Sequence, residues 1–262
     1  MGKTTTDFKK KHNFALMDKL FFHFGRYWML MGRIFSKPEK VWMYWRETAR
    51  QMNDIGVGSL VIVSIIAVFI GAVTAVQFAY QLGSSTIPMY YIGYIVRDSM
   101  IIELAPTFSC LALAGKVGSN IAAEIGGMRQ KEQIDALEVM GVETASYLIG
   151  PKIVAAMVVV PLLVIFAAFM GIVGGYFASI SSGFLTTEGF KQGLLFVFNP
   201  FNITMMLIKS FVFAYIFTSI SSYQGYYATG GSIELGQAST NAVVYSNIMI
   251  LLADYVLAIL LT

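Results

Sequence analysis

Charge is scarce in this sequence. Only 13% of its 262 residues are charged and 56% are hydrophobic, whereas a soluble domain carries roughly 25% charged residues. That balance, with long uncharged runs, excludes an ordinary water-soluble globule and points to the membrane class. One cysteine is present, Cys110, inside an apolar run. A disulfide framework is therefore excluded, and a small buried hydrophobe is the plain reading. The two histidines, His12 and His23, both precede the apolar runs. No Ser/His/Asp or metal-ligand constellation accompanies them, which argues against a lipid-modifying enzyme and against a metal site. No GxxxxGK[ST] phosphate loop occurs: "AGKVGS" has the letters in the wrong spacing, so any ATP must bind a separate chain. The net charge of +3 is modest, and nucleic acid is not an expected partner. The opening "MGKTTTDFKKKH" lacks a secretory leader pattern. It matches the loose myristoylation pattern at Gly2 and Thr6, in a chain whose own spans make a lipid anchor unnecessary.

Apolar length is what the sequence does have. A helix crosses the hydrocarbon core with about 20 residues. Five runs meet that need: Gly58–Leu82, Ser99–Gly126, Ile149–Ile180, Phe201–Tyr223 and Val243–Leu261. The expected fold is an all-α integral membrane protein with five transmembrane helices. Pro106 and Pro161 lie inside runs and are expected to kink rather than end them. Ahead of the spans, Phe14–Phe35 mixes Lys19, His23, Arg26 and Arg33 with aromatics. It reads as an interfacial amphipathic helix, basic on one face and aromatic on the other; a cytosolic helix pair is the alternative. The chain divides on this reading into an interfacial region, 1–56, and a transmembrane region, 57–262. Most Lys and Arg residues precede Asn53, which places the N-terminus in the cytoplasm and, after five crossings, the C-terminus outside.

One charged island interrupts the apolar sequence: "EIGGMRQKEQIDALEVMGV", Glu124–Val142. On a helical wheel from Arg129 to Met140, Ile134, Ala136, Leu137 and Met140 share one arc. Glu132, Lys131, Asp135 and Glu138 share the other, with Val139 intruding. Gly126–Gly127 is the expected turn out of the bilayer, and Gly141 the expected helix stop. The acidic residues disfavour simple attraction to anionic lipid. A helix docking on a cytosolic partner and a solvated loop helix both remain open.

The stretch Ala114–Val142 resembles the signature of the MlaE/YrbE family of permeases. The likeness extends through "VFIGAV" and "ELAP", through "LIKSFVFA" at Leu207–Ala214, and through the closing "LADYVL". The resemblance implies a homodimeric permease of the inner membrane. The island, about residues 128–141, would be its coupling helix, engaging a cytoplasmic ABC ATPase that carries the ATP and Mg. It names Glu124, Arg129, Glu132, Gln133, Ile134, Asp135, Leu137 and Met140 as the coupling set. A periplasmic MCE-domain protein would be a further partner. Phospholipid, moved between inner and outer membranes, would be the cargo.

Charges within spans suggest function or pairing, because each costs about 2.5–3.5 kcal/mol on insertion scales. Lys209 and Asp254 each lie about eight residues from the outer ends of consecutive spans, roughly 12 Å deep. Equal depth and opposite charge predict an ion pair, structural rather than substrate-binding. Glu103, in the outer half of the second span, has no obvious partner in the sequence. It is expected, with Leu104, to face a cavity that admits lipid or the MCE partner. Gln77, Tyr80, Gln81 and Leu82 either line the same cavity or form an interfacial belt. Many family members read Arg-Glu-Leu-Gly-Pro where this chain has Ile102-Glu103-Leu104-Ala105-Pro106, so a phosphate contact from that position is in doubt. An ion-coupled secondary transporter using Glu103, Lys209 and Asp254 is the alternative function, although no inverted repeat is visible.

Overall fold

A computed structural model of the chain describes residues 21–34, 41–83 and 88–261. Gly2, Thr6 and the first turns of the expected N-terminal helix lie outside these residues. Residues 21–34 form helix α1.

Helix α2 (Val41–Leu82) has 42 residues, about 63 Å at 1.5 Å per residue and twice the hydrocarbon thickness of roughly 30 Å. No break occurs near residue 56. The polar segment with Arg46, Arg50 and Asp54 forms the opening turns of the spanning helix itself. Gly56 and Gly58 lie inside it, and at about 1 kcal/mol each against alanine they are too weak to end a helix this long. Every fourth residue of α2 is buried, from Gln51 and Ile55 through Ala67 and Gly71 to Ala79, and this stripe packs on α5 (Ala145–Ser181). A side chain at Gly71 would overlap the Gly171 carbonyl, and one at Gly174 would meet the Val68 backbone. The Gly171/Gly175 spacing thus brings two helices of one chain together.

Helix α3 (Tyr91–Gln130) contains two wide π turns, Met100–Leu104 and Ala114–Gly118, and α5 opens with a third, Ala145–Ile149. Pro106 and Pro151 each follow such a turn. A proline ring clashes with the carbonyl one turn earlier, and the wide turn gives it room. Gly126 and Gly127 do not turn the chain as expected; α3 runs on to Gln130. The reversal comes at Glu132, whose φ of 56° is left-handed. Helix α4 (Gln133–Val139) follows, and Gly141 (φ 82°) ends that excursion.

Helix α6 (Thr187–Leu195) lies at the opposite end from α1 and α4, capped by Thr186, whose Oγ1 accepts from the Gly189 amide. Helix α7 (Phe201–Tyr226) packs against α3, where Gly225 abuts Ala122 and Gly118 abuts Ser221. Helix α8 (Ser232–Leu261) covers α7 and α3, and leaves Ile248, Leu252, Tyr255 and Ile259 at least half exposed. Among the described residues, five helices (α2, α3, α5, α7 and α8) are long and apolar enough to cross a membrane.

Candidate functional site

Three spans meet at one ammonium group. Lys209 on α7 is fully buried; its Nζ lies 2.8 Å from Asp254 Oδ1 on α8 and 2.5 Å from Glu103 Oε2 on α3. Thr107 donates from Oγ1 to Asp254 Oδ2 at 3.1 Å. Glu103 and Thr107 are one turn apart on α3, so both face the seam that α7 and α8 close. Two carboxyl groups surround one cation at this centre. The arrangement persists because each buried oxygen has a cation or hydroxyl within reach. Glu103, unpartnered on sequence grounds, is thus paired.

Glu103 also has a second face. Its side chain is 46% exposed and lines a cavity of about 620 Å³ between α2 and α3. Gln77, Gln81 and Leu104 line it too, with Thr74, Asp98 and Ile102. The structure therefore brings four of the six expected cargo-contact residues together. The other two are elsewhere: Tyr80 is 84% exposed and Leu82 is buried. The α-helical period explains the split, since Thr74, Gln77 and Gln81 share a face that Tyr80 does not.

Arg97, between the lining residues Tyr94 and Asp98 on the same helix, has a different task. Its guanidinium donates to the carbonyls of Leu194 (2.5 Å), Phe196 (3.0 Å) and Val197 (2.9 Å) and pairs with Asp98. It caps the C-terminal end of α6, where carbonyls lack helical donors.

At the other end, the island is tied down more firmly than the wheel implied. Ile134, expected to face a partner, is fully buried in this chain. Arg129 pairs with Asp135 at 2.8 Å. Glu124 is on α3, not on the short helix, and holds the buried Lys152 at 2.6 Å. Glu138, placed on the solvent arc, accepts from Tyr226 Oη (3.0 Å) and Thr144 Oγ1 (3.1 Å). Glu132 and Gln133 are exposed, Leu137 is half-buried, and Met140 and Val139 are 69% and 89% exposed. What projects is a small apolar tip on an anchored base. The links from Glu138 to Tyr226 and from Glu124 to Lys152 had no local signal in the sequence, since each joins distant helices. Lys116 and Lys152 could have been noticed as further basic residues in or beside apolar runs.

Residues 48–260 match the family described as Permease MlaE. The chain belongs to that family. It is 35% identical to a probable ABC transporter permease protein of Rickettsia bellii, over 82% of this chain and 83% of the other. A probable ABC transporter permease protein of Synechocystis is 33% identical over 94% of this chain and 88% of its own length. The intermembrane phospholipid transport system permease protein MlaE of Haemophilus influenzae is 30% identical over 87% of each. The protein is a multi-pass transporter permease of the MlaE family and not a catalytic enzyme.

In this MlaE-family permease, α1 docks on the same end of α7 that Glu138 grips. The Arg26 guanidinium stacks 3.6 Å from the Tyr227 ring. Tyr27 Oη donates to Ser219 at 2.9 Å, and His23 Nδ1 lies 2.7 Å from Tyr223 Oη. Burial pushes the Tyr27 phenol up to about 12, so it is a neutral donor at physiological pH. Phe21, Phe22, Phe24 and Trp28 face outward, each about 60–70% exposed. The basic and aromatic faces are therefore reassigned: Arg26 points into the protein and the rings point away, as an interfacial helix requires.

Proposed function

We propose that this permease moves phospholipid between the inner and outer membranes of a bacterial envelope, driven by ATP and Mg bound to a separate cytoplasmic ABC ATPase. The observation that carries the coupling is the exposed Val139–Met140 tip, held on a base fixed by the Arg129–Asp135 and Glu138–Tyr226 contacts. A rigid lever with an apolar end suits a partner that pushes, because a floppy loop would absorb the stroke. The Haemophilus relative, a permease protein of an intermembrane phospholipid transport system, supports the cargo. On this reading α1 and α4 are cytoplasmic, the C-terminus is periplasmic, and α6 and the Glu103 cavity face the periplasm and an MCE-domain partner. Two copies form the working unit. The exposed apolar face of α8 suits a second copy or lipid equally.

The test is purification of the tagged chain from membranes. An ATPase chain is expected to accompany it, and Met140→Asp is expected to release that chain while the permease stays folded. If Met140→Asp and Leu137→Asp both retain the ATPase, α4 is not the coupling element. The ion-coupled reading, for which the second carboxyl group beside Lys209 speaks, requires instead that transport stop when the proton gradient is collapsed at constant ATP.

A further inference from the structure

A second polar cavity, of about 710 Å³, lies in the half of the molecule that carries α1 and α4. Arg50, Asp54 and Ser59 of α2 and Lys116, Asn120 and Glu124 of α3 line it. Lys116 decides its character. It projects from the π turn Ala114–Gly118, the one wide turn in the described residues with no proline after it to account for it. Its ammonium bonds the Gly58 carbonyl, and no carboxylate lies within ion-pair distance among the described residues. The Glu124 carboxylate is already held by Lys152. Arg50 makes only a 4.0 Å contact with Glu47, and its side chain is 74% exposed. The cavity therefore presents the cations of Arg50 and Lys116 beside two carboxylates, Asp54 and Glu124, of which Glu124 is already neutralised by Lys152 from outside the lining. Ser59 Oγ, fully buried at its wall, has no hydrogen-bond partner among the described residues.

Lys116 is exposed to this cavity and bonds Gly58, where the apolar run of α2 begins, so its ammonium sits at the boundary level at which a lipid phosphate would lie. The same face of α2 continues upward from Asp54 through Val61 and Ile65, seven and eleven residues on, which are 69% and 53% exposed. Polar groups below and an exposed apolar strip above match the shape of a phospholipid. We infer that this cavity is a phosphate-binding station for a lipid headgroup, with Lys116 and Arg50 on the phosphodiester and acyl chains along Val61 and Ile65. It is separate from the Glu103 cavity, lined by different residues at the other end of α3. The inference rests on the permease reading for the identity of its cargo.

The experiment is amine-reactive footprinting of the full-length chain, read by mass spectrometry, in nanodiscs of phosphatidylglycerol or of a phosphate-free diglucosyl diacylglycerol. Lys116 is expected to label roughly tenfold more slowly in phosphatidylglycerol, the equivalent of one charge-assisted hydrogen bond. Buried Lys152 and exposed Lys131 serve as references that label alike in both. Arg50→Gln is expected to restore most of the Lys116 labelling in phosphatidylglycerol. If millimolar inorganic phosphate protects Lys116 in the glycolipid discs, the phosphate chemistry holds and a free anion is an occupant. Equal labelling of Lys116 under all these conditions overturns the station, as does an Arg50→Gln variant that leaves protection unchanged. Neither nucleotide nor ATPase enters this measurement. A negative result removes the site alone, and the permease reading is judged separately by ATPase co-purification.

Discussion

Lys209 and Asp254 lie 2.8 Å apart across the α7–α8 seam, and Lys209 has no exposed surface. Removing one partner of a buried pair strands the other. Lys209→Ala is therefore expected to cost about 3–5 kcal/mol. Thermal unfolding in detergent would register this as a lower midpoint. The double variant Lys209→Ala/Asp254→Ala should lose less than the sum of the single changes. Additive losses would show that the two groups do not interact.

Glu103 shares the same ammonium but is nearly half exposed. Glu103→Gln keeps the hydrogen-bonding shape, and Asp254 still neutralises Lys209. Stability is expected to fall by less than about 1 kcal/mol, while lipid transfer from labelled vesicles slows through the altered cavity wall. A large unfolding shift with normal transfer would assign Glu103 to structure alone.

Ile134 and Met140 separate the two faces of the α4 region. Ile134→Asp buries an unpaired charge, with an expected loss of more than about 3 kcal/mol and poor expression. Met140→Asp changes a side chain that is 69% exposed, and its expected effect on stability is under about 0.5 kcal/mol. Size-exclusion profiles of the two variants should differ accordingly.

Gly71 meets Gly171 backbone to backbone. Gly71→Ala is expected to cost about 1–3 kcal/mol by overpacking, and Gly71→Leu to prevent assembly of α2 on α5. Yield of monodisperse protein reports both. An unaffected Gly71→Leu variant would mean that the two helices do not approach so closely.

Tyr226 joins α4 to the end of the helix that carries Lys209. Tyr226→Phe leaves Glu138 with Thr144 alone, an expected loss of about 1–2 kcal/mol. Hydrogen exchange should rise across Gln133–Val139 while α7 keeps its protection. Unchanged exchange in α4 would show that the tyrosine does not hold it.

The spans were legible because hydropathy is a local property. Twenty apolar residues in a row can only be satisfied in lipid or in a core, whatever their neighbours. Their ends were less so: α2 absorbed the polar segment ahead of it, and α3 ran through Gly126 and Gly127, because hydrogen-bond propagation outweighs the small cost of glycine. Helix α6 gives little signal in the sequence, since it has only nine residues and two of them, Gly189 and Gly193, are poor helix formers.

What the sequence determined by itself was the membrane class, five crossings, a short helix stopped by Gly141, and the opposed charges of Lys209 and Asp254 at matching depth. Tertiary structure decided which residues share a site. Glu103 found its cation 106 positions away and Glu138 its tyrosine 88 positions away. Ile134 turned inward, and the Gly171 face met α2. A helical pattern reports the faces of one helix, not which face another helix will cover. That choice is made only when close packing and the need to satisfy every buried polar group are met together.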